Sequence, residues 1–283
     1  MINNHRLDNI VIHNFTNTRL KLLILPILLL IFIALTLLIK GGFTIENYIN
    51  IQKELFFYLN SKLASLPILQ FNLTQLGDAL IFLPLLSIFI IYAPKLWGAL
   101  LTSAIVSALI SFPLKKIFAV PRPAGMFDND SFIIVGDTLA GFTSLPSGHS
   151  ITTFTVVTVV LFAFMPKEFK SKIAWVICIL TLGLVIAFSR VGVGAHYPLD
   201  VIIGSALGYI SALLGIFINN KVNLWSWSEK RKYYPIFMLL LTICGVVIVK
   251  KIVAVDLLVF YFSLLAIVST LYLMIKMYVK KEH

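Results

Sequence analysis

Charge is scarce in this chain, and acid is scarcer than base: 12% of the 283 residues are charged, with 12 Asp and Glu against 23 Lys and Arg. Set beside 59% hydrophobic residues, that balance excludes an ordinary soluble domain, in which about 25% of residues are charged. Cysteine is nearly absent. Cys178 and Cys244 stand in separate apolar runs with no C-x-x-C spacing, which argues against a disulfide or a thiolate metal site and leaves core packing as the expected role. The apolar runs lack the period-two alternation of a membrane barrel, and no internal repeat or low-complexity linker interrupts them. The first run ends in "LIKGGF" without an A-x-A-like cleavage site, so it is expected to remain as an anchor helix.

What the chain does have is a series of apolar runs near twenty residues, the length a helix needs to cross ~30 Å of hydrocarbon. Helices are expected over roughly 20–39, 78–94, 96–114, 150–165, 173–190, 199–218, 234–249 and 252–275. The fold class is therefore all-α, a polytopic transmembrane helix bundle with eight crossings. It divides into a cytoplasmic leader (1–19), a six-helix core (20–218), a basic cytoplasmic loop (219–233) and a C-terminal helical hairpin and tail (234–283). Residues 44–66 place Ile45, Ile49, Phe56, Leu59, Leu63 and Leu66 at steps of mostly three and four. That pattern suits an amphipathic helix lying at the outer interface, or equally a cap over the bundle.

Lys and Arg concentrate on the cytoplasmic side of membranes. With the N-terminus inside, 14 of the 23 fall in inside segments and 9 outside, so N-in and C-in is expected. The net charge of +11 then requires no nucleic-acid partner, because the topology rule and anionic headgroups account for most of it.

Three polar clusters break the apolar background: "KKIFAVPRP" (115–123), "PSGH" (146–149) and "SRVGVGAHYPLD" (189–200). Two further crossings separate the third from the first two, so all three reach one membrane face. Ionisable residues against membrane helices are costly and point to function. Lys115, Arg122 and Arg190 gather three cations, which call for an anion. Arg offers a planar fork matched to phosphate oxygens and Lys a point charge. Ser147 suits the N-cap of the following helix, and the N–H groups of Ser147, Gly148 and His149 are expected to add anion contacts, with Gly148 permitting close approach. His196 and Asp200 are four apart, so Asp200 can hold one ring nitrogen and leave the other to attack phosphorus. His149 is then the acid that protonates the leaving oxygen and the base that activates water. A zinc site of His149, His196 and Asp200 is the competing assignment, which the three cations oppose. A transporter would place broken helices near the midplane, whereas these polar residues gather at helix ends. Asp78 is expected to cap a helix or touch a headgroup, and Lys116 and Asp137 to be solvated. His5 and His13 lie in the leader and receive no role.

The pattern K-x6-R-P from Lys115 to Pro123, "PSGH", and S-R-x5-H-x3-D from Ser189 to Asp200 resembles the type 2 phosphatidic acid phosphatase superfamily. The resemblance spans residues 115–200 and departs at no motif position. It implies His196 as nucleophile, His149 as general acid, Asp200 as orienting carboxylate, and Lys115, Arg122, Ser147, Gly148 and Arg190 as phosphate ligands, with no metal and no cofactor. The implied partner is a membrane lipid phosphate in a bilayer, with oligomeric state left open. The implied activity is hydrolysis of undecaprenyl pyrophosphate or a glycerophospholipid phosphate through a phosphohistidine at the outer face of a bacterial inner membrane. Lipid A dephosphorylation, or transfer to a lipid acceptor, is the alternative. Residues 234–275 add a hairpin beyond the six helices usual among bacterial relatives.

Overall fold

The computed structural model describes residues 4–222 and 224–280; residues 1–3 of the leader, 223 of the basic loop and 281–283 of the tail lie outside the described residues. The fold is the expected all-α polytopic bundle. In chain order its helices are α1 (Asn4–Thr16), α2 (Ile24–Ile39), α3 (Ile45–Leu63), α4 (Pro67–Gln75), α5 (Ala79–Leu85), α6 (Phe89–Tyr92), α7 (Pro94–Phe118), α8 (Gly148–Ala163), α9 (Phe169–Gly192), α10 (Pro198–Val222), α11 (Tyr234–Ala254) and α12 (Leu258–Val279). Prolines set several starts, since Pro67, Pro94 and Pro198 open α4, α7 and α10 where a missing N–H costs nothing.

Among the described residues, six spans are long and apolar enough to cross a membrane: those of α2, α7, α9, α10, α11 and α12. The two other expected crossings, over 150–165 and 78–94, do not appear as spans of that length. Helix α8 is a shorter apolar helix of 16 residues, which still rises about 24 Å at 1.5 Å per residue. The single helix expected over 78–94 is broken instead. Pro84 sits inside α5, where it removes a backbone donor and crowds the preceding turn. From there the chain continues through i→i+3 bonds, such as Ser87 N–H to Pro84 O at 3.0 Å and Ile90 N–H to Ser87 O at 3.0 Å. The Ser87 hydroxyl meets that of Thr270 on α12 at 2.9 Å, so the break lies against another helix and away from the polar clusters.

Helices α7, α8 and α10 form the centre. Three glycines of α10 let them close: a Cβ on Gly204 would stand 2.7 Å from the Ser147 carbonyl oxygen, and Gly208 and Gly215 press likewise on Ile151 and Ser103. Small residues of this kind allow membrane helices to approach closely. Outside this centre α2 turns Leu25, Phe32 and Ile39 outward, toward lipid rather than water. Cys178 also faces outward on α9, so its expected core role does not hold; both cysteines are free.

Two segments outside the expected crossings pack on the bundle. The leader holds a helix, α1, that buries Val11 and Phe15 at the end of the bundle opposite the motifs, where Asn14 donates to the Ala163 and Met165 carbonyls at 2.9 and 3.2 Å. Segment 44–66 is a cap: α3 buries Tyr48, Ile49, Gln52, Phe56 and Asn60. Asn60 grips the carbonyls of Ile133 and Val191, each at 3.0 Å. The hairpin turn falls later than expected, because Lys250 and Lys251 continue α11 through its last turn, where a cation suits the helix C-terminus.

Candidate active site

Four helix ends build the site. Helix α7 runs to Phe118 and stops where Ala119 adopts a left-handed conformation (φ 44°, ψ 37°), which puts Lys115 in its final turn. The chain leaving it is pinned by Arg122 N–H to Gly141 O at 2.9 Å and Ser144 N–H to Val120 O at 2.9 Å. It then enters α8 at Ser147. At the other approach, the Arg190 carbonyl near the end of α9 accepts from both Ala195 N–H (3.0 Å) and His196 N–H (3.2 Å). Gly194 makes that turn with φ +76°, a conformation glycine adopts without strain. Pro198 then starts α10 and carries Asp200 in its first turn.

All eight residues singled out from the sequence meet at this end. His196 Nδ1 stands 3.5 Å from Asp200 Oδ2, with both side chains buried. An ionised carboxylate only accepts, so this contact favours the neutral tautomer with its proton on Nδ1, which leaves the other ring nitrogen its lone pair. Lys115 Nζ lies over Gly148, where a Cβ would come within 3.1 Å of it. Arg122 reaches the Ala195 carbonyl at 3.3 Å and the Thr143 hydroxyl at 3.3 Å. Arg190 donates to the Thr74 hydroxyl at 2.6 Å, while its buried Nε has no protein partner. The Ser147 hydroxyl accepts from Ser150 N–H at 3.4 Å as the N-cap of α8.

One expectation is corrected. Ser147 N–H is not free for an anion, because it donates to the Asp200 carbonyl at 3.1 Å and so ties α8 to α10. The anion donors left at this helix start are the amides of Gly148 and His149, which have no intrahelical acceptor, and the proton of the Ser147 hydroxyl.

Asp200 is held by more than the motif predicts. Its Oδ1 accepts from the Tyr48 hydroxyl at 2.7 Å. Its Oδ2 accepts from the Ser144 hydroxyl at 2.6 Å and from Tyr197 N–H at 3.0 Å. Gln52 on α3 accepts from Leu199 N–H at 3.0 Å and caps α10 beside it. Tyr48, Gln52 and Thr74 lie outside the three clusters, and only the amphipathic spacing of 44–66 hinted at the first two. Ser144 sits three residues before Ser147 in an otherwise unremarked position.

Burial pushes the His196 pKa well below its ordinary value, and the charges of Arg122, Arg190, Lys115 and His149 push the same way. The imidazole is thus neutral at physiological pH. Burial, and then the Asp200 charge, push the Tyr48 hydroxyl well above its usual pKa, so it remains a donor.

The ring of His149 lines a cavity of about 340 Å³ together with Lys115 and Gly148. The cavity continues between α5, α7 and α8 along Leu83, Leu100 and Phe112. Asp78 borders it and is the expected helix cap, accepting from Leu80 N–H at the start of α5 at 2.9 Å. Lys116 and Asp137 are exposed. His13 at the far end meets the Asn17 amide just past the end of α1 at 3.4 Å, and the His5 side chain lies outside the described residues.

The PAP2 superfamily model matches residues 96–224, a stretch that contains every motif position and ends before α11. Over 199 residues the chain is 30% identical to an undecaprenyl-diphosphatase of Sulfolobus acidocaldarius, covering 69% of this chain and 90% of that one. A lipid A 1-phosphatase of Rhizobium etli is 30% identical over 152 residues, 51% of this chain and 62% of that one. The crystal structure of Aquifex aeolicus LpxE has a similar fold, with a TM-score of 0.50 and 24% identity over 59% of this chain and 95% of that one.

Proposed function

The chain belongs to the PAP2 superfamily and is an integral-membrane lipid phosphatase, and we propose that it hydrolyses a lipid pyrophosphate or phosphate monoester through a phosphohistidine on His196. The observation that carries this reading is the buried His196–Asp200 contact at 3.5 Å inside a ring of three cations.

The terminal phosphate binds among Lys115, Arg122, Arg190, the Ser147 hydroxyl and the Gly148 and His149 amides, which offset its charge as it spreads over the equatorial oxygens. The free nitrogen of His196 attacks phosphorus. The bond from phosphorus to the bridging oxygen breaks, its electron pair goes to that oxygen, and His149 supplies the proton. Asp200 stabilises the imidazolium formed on attack. Water then attacks the phosphohistidine with His149 taking its proton, the P–N bond breaks back to His196, and inorganic phosphate leaves. One water is consumed and the lipid is released one phosphate shorter.

The cavity beside His149 is apolar along α5, α7 and α8, which suits a lipid that offers its headgroup at the helix ends and leaves its chain in hydrocarbon. Undecaprenyl pyrophosphate is the favoured substrate, since the undecaprenyl-diphosphatase relative matches over most of its length; lipid A and phosphatidic acid are the alternatives. The cytoplasmic membrane is the proposed location, with the site facing outward. Lys167, Lys170, Lys172 and Lys221 lie at the bundle end away from the motifs, as inward-facing basic residues should.

The test is phosphate release by purified protein in EDTA from undecaprenyl pyrophosphate, lipid A and phosphatidic acid, with His196→Ala as control. Release abolished by the substitution, with an acid-labile phosphoprotein trapped in the unsubstituted enzyme, is the expected result. Undiminished release by His196→Ala refutes the nucleophile assignment.

A further inference from the structure

The C-terminal hairpin lies outside the family match, yet it brings a cation to the site. Lys251, in the last turn of α11, places Nζ 3.1 Å from Asp78 Oδ2, and the two side chains are 34% and 25% exposed. Asp78 itself is fixed, because its other oxygen caps α5 at Leu80 N–H. The neighbouring Gly77 packs directly on His149: a Cβ there would stand 2.6 Å from the His149 Cβ. Asp78 and His149 border the same cavity.

Holding the hairpin is a poor explanation for this pair. The pair is only partly buried, where an ion pair adds modest stability at most, and the hairpin is already joined to the core by Ser263 to the Ile81 carbonyl at 3.0 Å, Ser87 to Thr270 at 2.9 Å, and Val259 N–H to Asn72 at 3.1 Å. Its place in the reaction geometry is more informative. Displacement at phosphorus is in line, so the leaving group lies opposite His196, on the side of the acid His149, whose cavity Asp78 borders with the Lys251 ammonium held against it.

We propose that Lys251 is a specificity-determining residue that binds an anionic leaving group, the inner phosphate of a lipid pyrophosphate, with Asp78 holding its ammonium beside that position until substrate arrives. A pyrophosphate departs as a phosphate carrying new negative charge on the former bridging oxygen, which Lys251 offsets while His149 protonates it. A monoester departs as an alcohol and gains little from the same cation. The inference rests on the phosphatase reading and narrows its substrate class.

The experiment compares kcat/KM for undecaprenyl pyrophosphate with that for phosphatidic acid, using full-length protein in detergent, for the unsubstituted enzyme, Lys251→Gln and Lys251→Arg. The ratio is expected to fall about tenfold in Lys251→Gln, the loss of one charge-assisted contact, and to recover in Lys251→Arg. An unchanged ratio with both lipids still hydrolysed overturns this inference and leaves the phosphatase reading standing. No release from either lipid by the unsubstituted enzyme overturns that reading instead. A binding arm then decides the inference separately: inorganic pyrophosphate should raise the unfolding midpoint of the unsubstituted protein more than that of Lys251→Gln, and equal shifts overturn it.

Discussion

Tyr48→Phe removes one oxygen atom, 152 residues from Asp200 in sequence, and should slow the chemical step. The Tyr48 hydroxyl donates to Asp200 Oδ1 at 2.7 Å in a fully buried contact. Without it that carboxylate oxygen has no donor, while Oδ2 keeps Ser144 and the Tyr197 amide. A hydrogen bond to a charged group contributes about 1.5–3 kcal/mol. If all of it serves the charge distribution of the transition state, kcat falls roughly 10- to 150-fold at about 1.36 kcal/mol per decade. Because Tyr48 reaches the chemistry only through Asp200, its effect should vanish once the carboxylate is gone. The assay is single-turnover phosphate release by Tyr48→Phe, Asp200→Asn and the double variant. The double variant should be no slower than Asp200→Asn within about twofold. Losses that multiply would show that Tyr48 acts by another route, and so would a kcat for Tyr48→Phe equal to that of the unsubstituted enzyme.

Four further outcomes are expected. Because burial and the surrounding cations lower the His196 pKa, the imidazole stays unprotonated as pH falls through its ordinary value near 6.5, so kcat/KM should hold at pH 6 and drop only below it; an acid limb centred above pH 7 contradicts the assignment. The same shift means that the unfolded chain binds the proton more readily, so the His196 contribution lowers stability as pH falls through about 6.5, and His196→Gln should flatten that part of the unfolding-midpoint profile. Gly204→Ala puts a methyl against the Ser147 carbonyl at 2.7 Å, with backbone rather than a flexible side chain in the way. It should cost about 1–3 kcal/mol, seen as a lower unfolding midpoint in detergent, and an unchanged midpoint would mean that α8 and α10 are not closely packed there. Arg190→Lys loses the planar fork that meets both Thr74 and the phosphate, so KM should rise at least tenfold, whereas an unchanged KM would remove Arg190 from substrate binding.

The site was legible to different depths. The three polar clusters stood out because ionisable residues are rare in this chain, and counting apolar runs between them sufficed to bring them to one face. The partners of those residues were not legible. Thr74 meets Arg190 and Gln52 meets Leu199 N–H across long separations, and nothing local marks a Thr or Gln as the complement of a distant group. The break after Pro84 was available in principle, since proline inside a helix disrupts it, but the apolar run continues through it. The break expected between 249 and 252 falls inside α11, which continues to Ala254.

Composition and motif spacing by themselves determined that the chain is a helical membrane protein and which side chains gather at one end, because hydrocarbon leaves helices few alternatives and each crossing reverses direction. Only the tertiary structure decided how that end works. The amphipathic α3 lies over the site and gives Tyr48 to Asp200, Ser147 N–H is turned away from the anion and toward α10, and the added hairpin carries Lys251 up to Asp78. Each of these depends on which helix packs against which, and that is fixed by shape and small-residue contacts between segments far apart in the chain.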